Sequence, residues 1–224
     1  MRSRATGYHR AVIRAVIFDM DGVIVDSEPY SMQALVDELR RHGIDPTEED
    51  LRRSYGRTIV EDFVDYFSRH GVTADVETAV ARERVRYYEL AAGNLKPFPG
   101  VMALIDRLRA QGLRLALASS GDRDKVAFSS RALGLDGVFE TVVTGDEIVH
   151  GKPHPEIYVM AARGLGVEPG ECLAIEDAPN GVRAAKRAGM RCIAVTNSVL
   201  PGELQGADLI VASLADDLSA VLPS

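Results

Sequence analysis

Ala15-Val16-Ile17-Phe18-Asp19-Met20-Asp21-Gly22-Val23 is the stretch on which the fold reading turns. Its opening run is rich in Val, Ile and Phe and has no polar face, the pattern of a strand buried on both sides of a parallel sheet. The run ends in two carboxylates one residue apart, followed by Gly. Side chains at i and i+2 on a strand point the same way. Asp19 and Asp21 are therefore expected to emerge together at the carboxyl end of the strand, where open α/β sheets bind their ligands. Two such carboxylates repel each other unless a cation or a shared proton lies between them. The same residues also suit an acidic turn after a strand, so the rest of the chain has to decide.

Downstream the texture is alternation. Helical patterns at 101–111, 125–133, 155–165 and 181–188 lead to apolar strand-like runs at 113–118, 141–144, 172–175 and 192–195. A last short strand at 207–211 is expected to precede a C-terminal helix. Strands alternating with helices predict a parallel, doubly wound, Rossmann-like sheet with right-handed crossovers.

Between the first strand and this alternation lies a block without a convincing strand. After Asp26-Ser27-Glu28-Pro29, which suits a helix start, apolar residues recur at helical spacing over 30–42, 48–55, 58–70 and 74–92. The block closes at the Pro/Gly-rich break Gly93-Asn94-Leu95-Lys96-Pro97-Phe98-Pro99-Gly100. The expectation is an α/β core of residues 11–26 and 97–224, with a small all-helical cap, 27–96, inserted on two adjacent linkers. Such a pair makes a hinge on which a cap can open and close; a static helical decoration fits the pattern as well.

Composition narrows the function. The 224-residue chain is 46% hydrophobic and 26% charged, an ordinary globular balance, and its formal net charge of −7 offers no nucleic-acid surface. No apolar run is long enough for a membrane span. The polar, Arg-rich leader 1–10 lacks the apolar centre of a secretory signal. Cys172 and Cys192 both sit in apolar runs and read as buried, reduced thiols, so a cytoplasmic location is expected. Lys occurs only at 96, 125, 152 and 186.

Three further polar clusters sit where strands end or loops return. Ala118-Ser119-Ser120-Gly121 follows a buried run, and small hydroxyls with Gly at a helix start suit phosphate oxygens; Ser-Ser-Gly-Asp is equally a good helix cap. Gly151-Lys152-Pro153-His154-Pro155 holds one Lys in a rigid turn, where it offers a fixed positive charge or simply a solvated one. Ile175-Glu176-Asp177-Ala178-Pro179-Asn180-Gly181 again places paired acids at a strand end. With Asp19 and Asp21 these supply the hard oxygen ligands that Mg²⁺ prefers; singly, they read as a capped turn.

Taken together, Asp-x-Asp-Gly at 19–22, Ser119, Lys152 and Glu-Asp at 176–177, in that order, resemble the haloacid dehalogenase superfamily of phosphotransferases. The resemblance spans about residues 15–211, and the helical insertion is similar to the cap of the branch containing β-phosphoglucomutase and phosphoglycolate phosphatase. It implies that Asp19 is the nucleophile, forming an aspartyl phosphate, and that Asp21 is the acid and base. It implies Ser119, with Ser120, on phosphoryl oxygens and Lys152 neutralising charge. It further implies Mg²⁺ at Asp19, the Asp21 backbone carbonyl and Asp177, with Glu176 beside it.

Departures from the family's patterns discriminate among its chemistries. Asp21 is present, as in phosphoryl-transfer members and unlike the dehalogenases. No Lys lies between Ser27 and Gly93, so the cap lysine of phosphonate-cleaving members is missing. Ser31 stands where β-phosphoglucomutase carries a His, and Tyr87 and Tyr88 where it uses a Lys. The expected activity is hydrolysis of a small phosphorylated metabolite, a sugar phosphate for choice. A mutase is the alternative, and a non-catalytic relative is disfavoured because the whole acidic set is kept. Arg57, after the Gly56 break, is the cap residue expected to influence specificity, although it also suits a solvated helix flank. No nucleic-acid or membrane partner is expected, and a monomer is compatible with the sequence.

Overall fold

A computed structural model describes residues 12–54 and 58–222. The expectations for Arg57 and for the leader 1–10 lie outside the described residues. The chain divides into two compact units, one running up to Ile24 and resuming at Phe98, the other spanning Val25–Pro97.

The first unit is built on one six-stranded, all-parallel sheet. Its strands are β1 (Ala15–Phe18), β2 (Arg114–Ala118), β3 (Thr141–Val143), β4 (Cys172–Glu176), β5 (Arg191–Val195) and β6 (Leu209–Val211). They lie in the order β3-β2-β1-β4-β5-β6, so the winding reverses between β1 and β4. That reversal is the switch point at which doubly wound sheets open a crevice beyond their carboxyl ends. In register, Phe18 pairs with Leu117 on one side and with Ile175 on the other.

One face of the sheet is lined by Ala15, Ala116, Ala118, Cys172, Ala174, Cys192 and Ala194, all buried. Small side chains let the helices α7 (Glu156–Gly164) and α8 (Pro179–Arg187) settle against it through Ile157, Tyr158, Ala161, Val182 and Ala185. Residues pointing the other way, such as Val16, Phe18, Leu117, Ile175 and Ile193, are buried too, as a parallel sheet covered on both faces requires. Helix α5 (Val101–Ala110) packs against β2, and α6 (Arg123–Ala132) follows it.

The expected C-terminal helix is not there. Residues 212–222 run through turns. Asp216 accepts from the N–H of Ala212 and Ser213, and Asp217 from that of Ser219. These local side-chain bonds give the backbone an alternative to a helix. Strand β1 stops at Phe18, the last apolar residue before the two acids. Ile24 N–H closes a turn onto Met20 O, and Gly22 takes φ 78°. Asp19 extends the ladder by one residue, and Asp21 lies within the turn that follows.

The second unit holds α1 (Glu28–Arg41), α2 (Glu48–Ser54), α3 (Ile59–His70) and α4 (Val76–Ala91). Leu35, Leu39, Ile44, Phe63, Tyr66, Phe67 and Ala79 form its own buried cluster. The chain enters and leaves it side by side, for Val25 and Pro97 form an antiparallel bridge and Asp26 N–H donates to Lys96 O at 3.2 Å. None of the described helices is long and apolar enough to cross a membrane.

Candidate active site

Three neighbouring strands deliver the central residues. Asp19 follows β1 and donates its backbone N–H to Ile175 O at 3.0 Å, continuing the ladder one step beyond the strand. Glu176 ends β4, and Ser119 follows β2. Lys152 arrives from the loop ahead of α7. Its Nζ lies 2.7 Å from Asp19 Oδ1, 2.6 Å from Glu176 Oε1 and 3.3 Å from Ala118 O. The three protons of one ammonium thus meet acceptors from three adjacent strand ends, and the flexible Lys stem is held in one place.

Asp19, Glu176 and Asp177 are all buried, and each offers an oxygen within 4.8 Å of the others. Burial drives Asp19 well above the usual carboxylate range, and Glu176 and Asp177 add to this against the pull of Lys152. Burial also pushes Asp177 up to about 7, again with Glu176 adding. For Lys152 burial favours the neutral amine, but Asp19 and Glu176 outweigh it and keep the ammonium charged.

The partners of each carboxylate decide what it can still do. Glu176 Oε1 accepts from Lys152 and, at 2.5 Å, from the Tyr158 hydroxyl. Its Oε2 accepts from the N–H of Asp177 at 3.1 Å and of Ala178 at 3.5 Å. A carboxylate has about four lone-pair positions, so Glu176 is fully engaged by the protein. Asp177 Oδ2 accepts from the Ser198 hydroxyl. Among the described residues no hydrogen bond reaches Asp19 Oδ2 or Asp177 Oδ1. Three carboxylates against one ammonium, with two hard oxygens to spare, form a donor set that fits Mg²⁺.

Asp21 lies outside this triad, with its Oδ2 3.6 Å from Lys125 Nζ on α6. A Cβ placed on Gly121 would stand 3.3 Å from Ser119 Oγ, 3.6 Å from Lys125 Cδ and 3.8 Å from Asp21 Oδ2, so these groups converge on one spot. Ser119 is buried and its Oγ accepts from Gly121 N–H at 3.0 Å, whereas Ser120 is exposed. The start of α6 is capped by Asp122, which accepts from Lys125 N–H at 2.9 Å. The helix-cap reading of this segment therefore holds for Asp122, while Ser119 faces the polar spot. His154 is exposed, lies against His150 with the two rings tilted by 54°, and accepts from Glu156 N–H at 3.3 Å, as a structural residue does.

Two glycines make the close packing possible. A Cβ on Gly22 would fall 1.9 Å from Asp177 Oδ2, and one on Gly181 would fall 1.9 Å from the Glu176 carboxyl. Sequence reasoning missed Lys125, Tyr158, Asn197 and Ser198. Asn197 Nδ2 donates to Gly22 O at 2.8 Å and, with Ser198, braces the turn after β1 from the end of β5. The available signal was position: both follow a parallel strand at the end of the sheet where the acids gather.

Known proteins share this chain's fold and family. Residues 13–189 match the family model described as haloacid dehalogenase-like hydrolase. Hexitol phosphatase A of Escherichia coli is 32% identical, the alignment covering 90% of this chain and 91% of that protein. Protein CbbY of Rhodobacter capsulatus is 31% identical over 94% of this chain and 98% of its own. The crystal structure of CbbY from Rhodobacter sphaeroides in complex with phosphate superposes with a TM-score of 0.83 at 29% identity, covering 93% of this chain and 99% of that one.

Proposed function

The chain belongs to the haloacid dehalogenase-like hydrolases and is a phosphoric monoester hydrolase of that superfamily, and from this premise we propose that it is a Mg²⁺-dependent phosphatase for a small sugar phosphate. The observation that carries the reading is the single Lys152 ammonium between Asp19 Oδ1 and Glu176 Oε1, with Asp177 in the same cluster. Relatives support the substrate class: hexitol phosphatase A is named for phosphorylated hexitols, and CbbY has been crystallised with xylulose 1,5-bisphosphate.

In this reading an Asp19 carboxylate oxygen attacks phosphorus in line. The bond from phosphorus to the leaving oxygen breaks as the new bond to Asp19 forms, giving an aspartyl phosphate. Asp21 gives its proton to the leaving oxygen. It then takes one from the water that attacks the phosphorylated Asp19, releasing phosphate and restoring both side chains. Proton transfer of this kind contributes about 10² to 10⁴ in rate. Lys152 offsets negative charge at Asp19 and on the incoming phosphoryl group without any rearrangement, because it is already in place. Ser119 is positioned to bind a phosphoryl oxygen. Asp19, Asp177 and the Asp21 backbone carbonyl would hold Mg²⁺, which would supply further neutralisation of the phosphoryl charge. Hydrolysis is favoured over mutase chemistry because Ser31 on α1 has no imidazole to hold and pass a proton.

A panel of hexose, hexitol and pentulose phosphates, with phosphoglycolate as an outlier, tests this by released phosphate with and without Mg²⁺. Release from at least one sugar phosphate is expected, and D19N should bring it down to the level of buffer. Unchanged release by D19N, or isomerisation of a glucose phosphate without net release, would overturn the reading.

A further inference from the structure

Resting on that reading, we propose that Tyr158 is a positioning residue: its hydroxyl fixes Glu176, and Glu176 fixes the Lys152 ammonium against Asp19. Tyr158 lies in the first turn of α7, six residues beyond Lys152, with 0% of its surface exposed. Its hydroxyl and the Lys152 ammonium donate to the same oxygen, Glu176 Oε1, at 2.5 and 2.6 Å. The Lys152 Nζ also stands 5.3 Å from the centre of the Tyr158 ring, within cation–π range. Tyr158 therefore meets the ammonium twice, through its ring and through the shared carboxylate.

The hydroxyl has work that packing alone does not explain. Glu176 Oε2 is tied to two backbone N–H groups. Tyr158 supplies the remaining donor on the other oxygen. Removing it leaves a buried carboxylate short of one hydrogen bond, which is costly in a site shut off from water. The carboxylate can relieve that deficit by turning toward another donor. Such a movement takes Lys152 off Asp19. Tyr158 never touches the reacting atoms, so its effect should fall on turnover rather than on substrate capture. Outer partners of this kind are typically worth about 10- to 100-fold.

The full-length Tyr158→Phe variant tests the proposal, since it keeps the ring and the packing and removes only the hydroxyl. Two readouts are combined with a thermal melt. The first is kcat and KM on the best sugar phosphate of the panel. The second is the ¹⁵Nζ ammonium spectrum of the metal-free protein, which has only four lysines; the Lys152 signal is assigned by its loss in K152R. The expected result is a kcat about 10- to 100-fold lower, a KM little changed, and a shifted or exchange-broadened Lys152 signal. A lower melting temperature with kcat and the Lys152 signal unchanged would reduce Tyr158 to packing and overturn the proposal. So would a KM effect without a kcat effect, or a change in only one of kcat and the Lys152 signal. If Y158F does not fold, Y158M, similar in bulk but without hydroxyl or ring, takes its place with the same criteria. Should the wild type hydrolyse no phosphate ester, the phosphatase reading fails and the ammonium spectrum alone decides whether Tyr158 holds Lys152.

Discussion

Bringing Asp19, Glu176 and Asp177 within 4.8 Å of one another costs the protein desolvation and mutual repulsion, and the cost has a measurable sign. Asp177 is pushed up to about 7, mainly by burial, from 3.8 for an unperturbed carboxyl. Between those two values the metal-free native state holds a proton that the unfolded chain has released. Stability of the metal-free protein therefore falls as pH rises through that window. A divalent cation competes for the same oxygens and reverses the trend. Added Mg²⁺ is expected to raise the melting temperature little near pH 5 and clearly near pH 8, because binding must displace the proton at the lower pH. Thermal melts at the two values with Mg²⁺ or a chelator check this, and equal shifts at both would contradict it. Asp19 was readable from the sequence because an apolar run ending in acids is an unusual juxtaposition. Tyr158 and Ser198 were not, because an aromatic on a buried helix face and a hydroxyl in a loop each have an ordinary explanation until the fold puts Glu176 and Asp177 beside them.

Elements were legible wherever a local rule and a tertiary need coincide. Helix α3 shows this: Thr58 Oγ accepts from Glu61 N–H at 3.3 Å while Glu61 Oε2 accepts from Thr58 N–H at 2.8 Å, a reciprocal cap visible as Thr-x-x-Glu. Helix α3 then buries Phe63, Tyr66 and Phe67 on one side. Thr58→Ala removes the acceptor and should destabilise the protein by about 1 kcal/mol. Urea unfolding should move its midpoint down with little change in slope, since the surface exposed on unfolding is the same; an unmoved midpoint would mean that α3 does not depend on its cap. Reading failed where local bonds competed with periodicity. The apolar spacing of Leu214, Leu218, Val221 and Leu222 suggests a helix, yet Asp216 and Asp217 spend their oxygens on turn N–H groups and the same side chains are buried without one. The end of β1 was legible in the two acids, whereas the left-handed turn at Gly22 was not, because it is packed against Asp177, which fills the space a Cβ would take.

At the scale of the whole molecule, the alternation of strands and helices carries the doubly wound parallel sheet, and the sequence showed where that alternation is interrupted. What it could not show is how nearly the interruption leaves the sheet unit intact. Phe98 N–H donates to Ile24 O at 2.9 Å, so the sheet unit is already closed where the insertion departs. Asp19, Asp21, Ser119, Lys152, Glu176 and Asp177 all belong to that unit. Its buried cluster draws on β1, β2, β3, β4 and β5 and on α7 and α8. Replacing residues 25–97 by a short Gly/Ser linker between Ile24 and Phe98 should therefore give a protein that still folds, because closing so short a loop carries little entropic cost. If substrate choice resides in the helical insertion, the shortened protein should hydrolyse a small aryl phosphate with Mg²⁺ while its preference among sugar phosphates collapses toward uniformity. Circular dichroism and phosphate release across the same panel measure both halves of the expectation. A folded but chemically dead product would place an essential group within 25–97, and a folded product with its substrate ranking intact would place selection in the sheet unit instead.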